Sequence, residues 1–142
     1  MRLWHKDLIP VLPRQQLLGQ WRECCLIAKN IAEQGTPNHL LVNKIMDYPI
    51  DHFCTYCTLI CIEMESRGYR ADFSRLEKWL LQITTDFEAI PYKELFKGWH
   101  NDRYLTQCYC NLQEKHDCAG ISTEEWHKVD MMYNLRYTKK TS

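Results

Sequence analysis

Between Leu17 and Ile31 apolar side chains recur at Leu17, Trp21, Cys24 or Cys25, Ala28 and Ile31, the three-four spacing of a helix with one buried face. Pro13 stands ahead of this run, where a first helical turn loses nothing by its missing N–H, and Gly35 stands past it as a stop. The pattern predicts a helix from Arg14 to about Glu33. The same period returns at Phe53, Cys54, Cys57, Ile60, Cys61 and Met64, predicting a second helix that Asp47 or Asp51 caps and that runs to Arg67, before Gly68. It returns again at Phe73, Leu76, Trp79, Leu80 and Ile83, between Asp72 and Phe87. A third main helix, capped by Asn101 or Asp102, is predicted through Lys115 with Leu105, Cys108, Tyr109 and Leu112 buried. Ser122-Thr123-Glu124-Glu125 is a capping-box pattern that opens a short helix at Trp126. No stretch alternates apolar and polar residues as a half-buried strand would. The predicted fold class is all-α.

The connections follow from the punctuating residues. Asp7 to Pro13 holds two prolines, which favour extended or turn geometry, so an extended N-terminal arm is expected there. Short helical pieces are expected at His39 to Met46 and at Tyr92 to Phe96, and residues 138–142 are expected to fray. A chain of 142 residues fits a single domain, 1–142, able to bury roughly two-thirds of its unfolded surface. Gly19 lies inside the first helix at a cost of ~1 kcal/mol relative to alanine, which a close approach by backbone or ligand would explain.

Composition removes several function classes. Eighteen basic and eighteen acidic residues give no net charge and no general attraction to nucleic acid. The distribution is uneven, however. Arg2, Lys6, Arg14, Arg22 and Lys29 face only Asp7 and Glu23 in the first thirty residues, whereas residues 31–67 are net acidic. The longest apolar runs are too short for a bilayer span, and no secretory leader is recognisable, so a cytosolic protein with no membrane partner is expected. Eight cysteines in such a setting read as buried small apolar side chains rather than disulfides. Cys54, Cys57 and Cys61, with Cys108, Cys110, His116 and Cys118, invite a zinc reading, but the first three fall on an apolar helix face and the second pair has a single intervening residue. Neither a metal nor a cofactor is expected. Phosphate-binding glycine loops and a Gly-x-Ser-x-Gly elbow are absent from the sequence. Among the histidines, His5 and His100 are the two whose positions draw attention.

The first residues carry the remaining signal. Arg2 follows Met1, and initiator methionine is removed only before small residues, so the mature chain is expected to begin with the α-amine of Met1. Met1-Arg2-Leu3 followed by Gln15-x-Leu17-x-x-x-Trp21-Arg22-Glu23 resembles the pyrimidine dimer DNA glycosylases, the phage endonuclease V superfamily, in an uncharacterised bacterial and phage branch. Glu65-Ser66-Arg67-Gly68-Tyr69 matches the end of that family's second helix more loosely. Gln16 and Leu26 stand where the family has a histidine and an arginine.

The resemblance implies an all-α domain of three main helices with shorter ones, the N-terminal arm packed between them. It implies a DNA glycosylase with abasic-site lyase activity, acting as a monomer on double-stranded DNA at a pyrimidine dimer or a modified base. Met1 would supply the nucleophilic amine and Glu23 the carboxylate that stabilises the cationic intermediate. Arg2 and Arg22 would hold phosphates, Arg14 and Lys6 would be outer contacts, and Gln16 would also face DNA. An α-amine, with an ordinary pKa of about 7.7–8.0, is far more available as a neutral nucleophile near pH 7 than a lysine at about 10.4. The alternatives are a non-catalytic helical homologue that binds DNA or protein, and a cysteine-based metal domain.

Overall fold

The computed structural model describes the backbone of residues 1–141 and the side chains through Arg136. Five α-helices are described: α1 (Arg14–Gln34), α2 (Ile50–Ser66), α3 (Phe73–Ile83), α4 (Asp102–Asp117) and α5 (Thr123–Thr141). Two 3-10 segments, Lys6–Val11 and Asn43–Asp47, complete the described regular structure. The chain is all-α, with α1 packed on α2 and α3, α4 on α5, and the first 3-10 segment against α2 and α5. The expected fraying of residues 138–142 concerns side chains outside the described residues; α5 extends to Thr141.

Of the predicted stripe of α1, Leu17, Cys24, Cys25, Ala28 and Ile31 lie inside, and Trp21 is half-buried. Gly35 ends the helix at φ 76°, a conformation natural to glycine, its N–H closing on the Ile31 carbonyl at 2.9 Å. At the other end the Arg14 N–H, an orphan donor of the first turn, is capped by Glu125 Oε2 of α5 at 2.7 Å. In α2, Phe53, Cys54, Cys57, Ile60 and Met64 are buried as predicted. Its start differs. Pro49 precedes Ile50, and Asp51 lies within the first turn, where its charge favours the helix N-terminus, instead of capping it. Asn101 caps α4 as predicted, accepting from Tyr104 N–H at 2.9 Å. Ser122 and Glu125 form the predicted box, but α5 runs for 19 residues where a short helix was expected.

The arm is the main departure from the sequence reading. It is extended only through His5, and Lys6–Val11 tightens into a 3-10 turn that tolerates Pro10. His5 Nδ1 caps the turn by accepting from Asp7 N–H at 3.0 Å. Arg67, at the end of α2, donates to the carbonyls of Leu12 at 2.8 Å and of Ile9 and Pro10 at 3.2 Å. Tertiary partners therefore hold a turn that local propensity alone would not. Leu3, Trp4, Leu8, Ile9 and Leu12 drive the arm into the core, as residues between helices must if the arm is to stay put.

Candidate active site

The α1 face that meets the arm is polar along one row, Gln16, Gln20 and Glu23, with Gly19 beside them. Gln20 is buried, and its amide grips the arm as a neighbouring strand would. Trp4 N–H donates to Gln20 Oε1 at 2.8 Å, and Gln20 Nε2 donates to the Arg2 carbonyl at 2.9 Å. Tyr56 of α2 closes the network by donating to the Trp4 carbonyl at 2.6 Å, with Gln20 Oε1 at 3.0 Å. Tyr104 of α4 donates to the Leu3 carbonyl at 2.5 Å. Three helices thus fix three consecutive arm residues. The buried Tyr56 and Tyr104 hydroxyls, pushed upward in pKa chiefly by burial, stay protonated and serve as donors.

That clamp sets where the chain starts. Arg2 N–H makes a long hydrogen bond, 3.5 Å, to Glu23 Oε2, and Gln20 Nε2 reaches the same oxygen at 3.5 Å. The Glu23 carboxylate is therefore one residue from the Met1 end of the arm, and Met1 and Glu23 are both partly exposed to solvent. The Arg2 guanidinium turns the other way, over the Trp4 ring at 5.3 Å and 3.9 Å from Cys108 Sγ. It enters a cleft of about 700 Å³ between α4 and the turn after α1.

The other residues singled out in the sequence divide in two. Arg22 is exposed on α1, and Arg14 is exposed at the start of the helix, its guanidinium 5.5 Å from the Tyr69 ring centre. Gln16 is half-buried, its Oε1 without a hydrogen-bond partner among the described residues. Lys6 is placed elsewhere. It is buried, and its ammonium donates to the carbonyls of Tyr92 at 2.5 Å and Leu95 at 2.8 Å. Burial lowers its pKa first, with the Arg136 charge adding to the effect. An ammonium committed to two carbonyls inside the fold does not sit where an outer phosphate contact would be; it is held by the Tyr92 and Leu95 carbonyls of the turn at 91–95.

His5 and His100 lie behind the clamp with ring centres 5.1 Å apart. Both Nδ1 atoms accept backbone N–H groups, from Asp7 and Lys6 at 3.0 Å, so both neutral rings carry their proton on Nε2. Burial holds His5 down to about 4 and His100 to about 2. Neither is an acid or base near neutral pH.

The cysteines form no reactive centre. Cys24, Cys25, Cys54, Cys57 and Cys108 are buried, and burial raises Cys25 and Cys54 to about 11 and Cys61 to about 12. Such thiols stay protonated and make poor nucleophiles. Cys110 and Cys118 are exposed. Among the described residues no three His, Cys, Asp or Glu side chains are grouped closely enough to hold a metal ion, and no helix is long and apolar enough to cross a membrane.

Gln20 is the residue that sequence reasoning missed. The signal was present: it lies between Leu17 and Cys24, a polar residue in an apolar stripe, and a buried amide must find partners. Tyr56 and Tyr104 gave no comparable signal, since a buried tyrosine in a helix is ordinarily packing.

A family model described as pyrimidine dimer DNA glycosylase matches residues 1–76, which span the arm, α1, α2 and the start of α3. Comparisons with curated proteins and with solved structures give no match.

Proposed function

The chain belongs to the pyrimidine dimer DNA glycosylase family, and on that premise we propose that it is a glycosylase and abasic-site lyase whose nucleophile is the α-amine of Met1 and whose catalytic carboxylate is Glu23. The observation that supports this most is the clamp: Gln20, Tyr56 and Tyr104 lock Arg2, Leu3 and Trp4 while Arg2 N–H meets Glu23 Oε2 at 3.5 Å. A nucleophile is effective when its position is fixed before the substrate arrives.

In the proposed reaction the amine lone pair forms a bond to C1′ of the deoxyribose as the glycosidic bond breaks. The base leaves with that electron pair and takes up a proton. Loss of a proton from nitrogen and opening of the sugar ring, with O4′ protonated, give a cationic imine. Removal of a C2′ proton then expels the 3′ phosphate and breaks the strand. The Glu23 carboxylate opposes the positive charge as it develops and accepts the C2′ proton, the kind of preorganised group that lowers such barriers most. Arg22 and Arg14 contact phosphates from the outside of α1, and Arg2 does so from the cleft. Lys6, held by two carbonyls, takes no part. The substrate is duplex DNA carrying a pyrimidine dimer or a related modified base, extruded far enough to expose C1′.

The test is borohydride trapping on DNA with an abasic site or a pyrimidine dimer. Wild-type protein is expected to form a covalent adduct. Acetylation of the N-terminus abolishes it, and Glu23→Gln slows it by on the order of a hundredfold or more. Full trapping by either altered protein contradicts the proposal.

A further inference from the structure

The turn joining α1 to α2 displays two leucines to solvent. Leu40 is 85% exposed and Leu41 51%, and Leu40 is the most exposed large apolar residue among those described. Water contact on this scale is unfavourable for a tandem pair, and a loop free to move could turn them inward. This loop is built not to. His39 N–H donates to Asn43 Oδ1 at 3.0 Å, Asn43 and Val42 N–H groups return to the His39 carbonyl at 2.9 and 3.1 Å, and Asn30 Nδ2 holds the Pro37 carbonyl at 3.1 Å. Val42 and Ile45 anchor the turn in the core. The leucines are held outward on a rigid base.

Their surroundings are cationic and polar. Both leucines form one wall of the 700 Å³ cleft that Arg2 enters, with Lys44 on the same turn and Arg103 on α4 across from it. Glu114 is the single acidic side chain in the lining. An apolar tip between cations suits a partner that offers phosphates at its edges and a flat apolar interior between them. Duplex DNA has that chemistry, and proteins that kink it insert apolar wedges between base steps.

We infer that Leu40 and Leu41 form a wedge that enters the base stack of duplex DNA at the step being opened, with Lys44, Arg103 and Arg2 gripping the flanking phosphates. The inference rests on the proposed function, because only a reaction at C1′ of a stacked nucleotide requires the step to be opened. In a single strand the abasic sugar is already accessible, so the wedge matters for the duplex alone.

Wild-type protein and the Leu40→Ala/Leu41→Ala double variant, matched for melting temperature, are compared on an abasic site in a single strand and in a duplex carrying 2-aminopurine next to the site. Borohydride trapping reads the chemistry and 2-aminopurine fluorescence reads unstacking. The double variant is expected to trap the single strand as wild type does, to trap the duplex about tenfold more slowly or worse, and to lose the fluorescence rise. Equal duplex trapping with an equal fluorescence rise overturns the wedge. Absence of trapping by wild type on both substrates overturns the proposed function, and the fluorescence comparison then decides the wedge by itself. A wild-type dimer in sedimentation that the double variant abolishes assigns the leucines to a second copy of the chain and also overturns it.

Discussion

Residues 1–4 and residues 5–6 of the arm are neighbours in sequence, each segment contains a basic side chain, and the fold uses them in opposite ways. Arg2 to Trp4 are held by their backbone, through Gln20, Tyr56 and Tyr104, which leaves Met1 and the Glu23 carboxylate open to solvent. His5 and Lys6 lie inside and use their side chains as well, where His5 caps a turn, the Lys6 ammonium donates to the Tyr92 and Leu95 carbonyls and the Lys6 N–H donates to His100 Nδ1. Charge type does not separate the two segments. What separates them is the partner each meets: the Tyr92 and Leu95 carbonyls accept from an ammonium, and the α1 row offers an amide that bonds backbone.

This contrast breaks first at Lys6. Lys6→Met removes a charged donor from two buried carbonyls and should cost about 2–4 kcal/mol in denaturant unfolding, while the salt dependence of DNA binding stays as in wild type. Arg22→Ala should do the reverse, lowering the slope of log affinity against log salt by about one with the stability unchanged. A Lys6 variant that flattens the slope would place Lys6 among the phosphate contacts.

The interior half of the arm also predicts an acid response. Unfolded imidazoles take up protons near 6.5, whereas burial holds His5 near 4 and His100 near 2. Between pH 6.5 and 4 protons therefore bind the unfolded chain in preference, and stability falls as pH is lowered through that window, by about 3 kcal/mol for His5 alone. Melting temperatures measured from pH 7.5 to 4.5 check this, and a flat profile would mean that the two rings are not buried as described.

Gln20→Leu acts on the exterior half. It strands the Trp4 N–H and the Arg2 carbonyl, at about 1–3 kcal/mol for the unsatisfied groups, and it should slow trapping by about tenfold because the amine is no longer positioned. Stability lost with trapping unchanged would make Gln20 purely structural. The smallest effect is expected at Gly19, where a Cβ would meet nothing within 4 Å in the protein. Gly19→Ala should stabilise α1 by ~1 kcal/mol through helix propensity. If DNA approaches this face beside Glu23, the same change weakens DNA binding; stabilisation with binding intact would leave the glycine without a substrate role.

The legibility of the fold tracks how local its causes are. α1, α2 and α4 could be read because their apolar residues keep a helical period and because Gly35 and Asn101 mark ends by backbone preference. The arm could not, since its 3-10 turn depends on Arg67 and His100, partners more than fifty residues away. α5 reads short in the sequence because few of its described side chains are buried, Val129 foremost, so its period is faint. At the site, Glu23 stood out through family resemblance and not through its neighbours, for a glutamate on a helix is ordinarily a solvated charge. The resemblance makes Lys6 an outer phosphate contact, and nothing local corrects this, because its carbonyl partners lie on a turn that the sequence marks only by Pro91 and Gly98.

The most direct measurement locates the covalent bond. Wild-type protein is reduced with borohydride on abasic duplex DNA, digested, and the modified peptide identified by mass spectrometry. The sugar adduct is expected on the α-amine of Met1. An adduct on the side chain of Lys6, or of any other lysine, would contradict it.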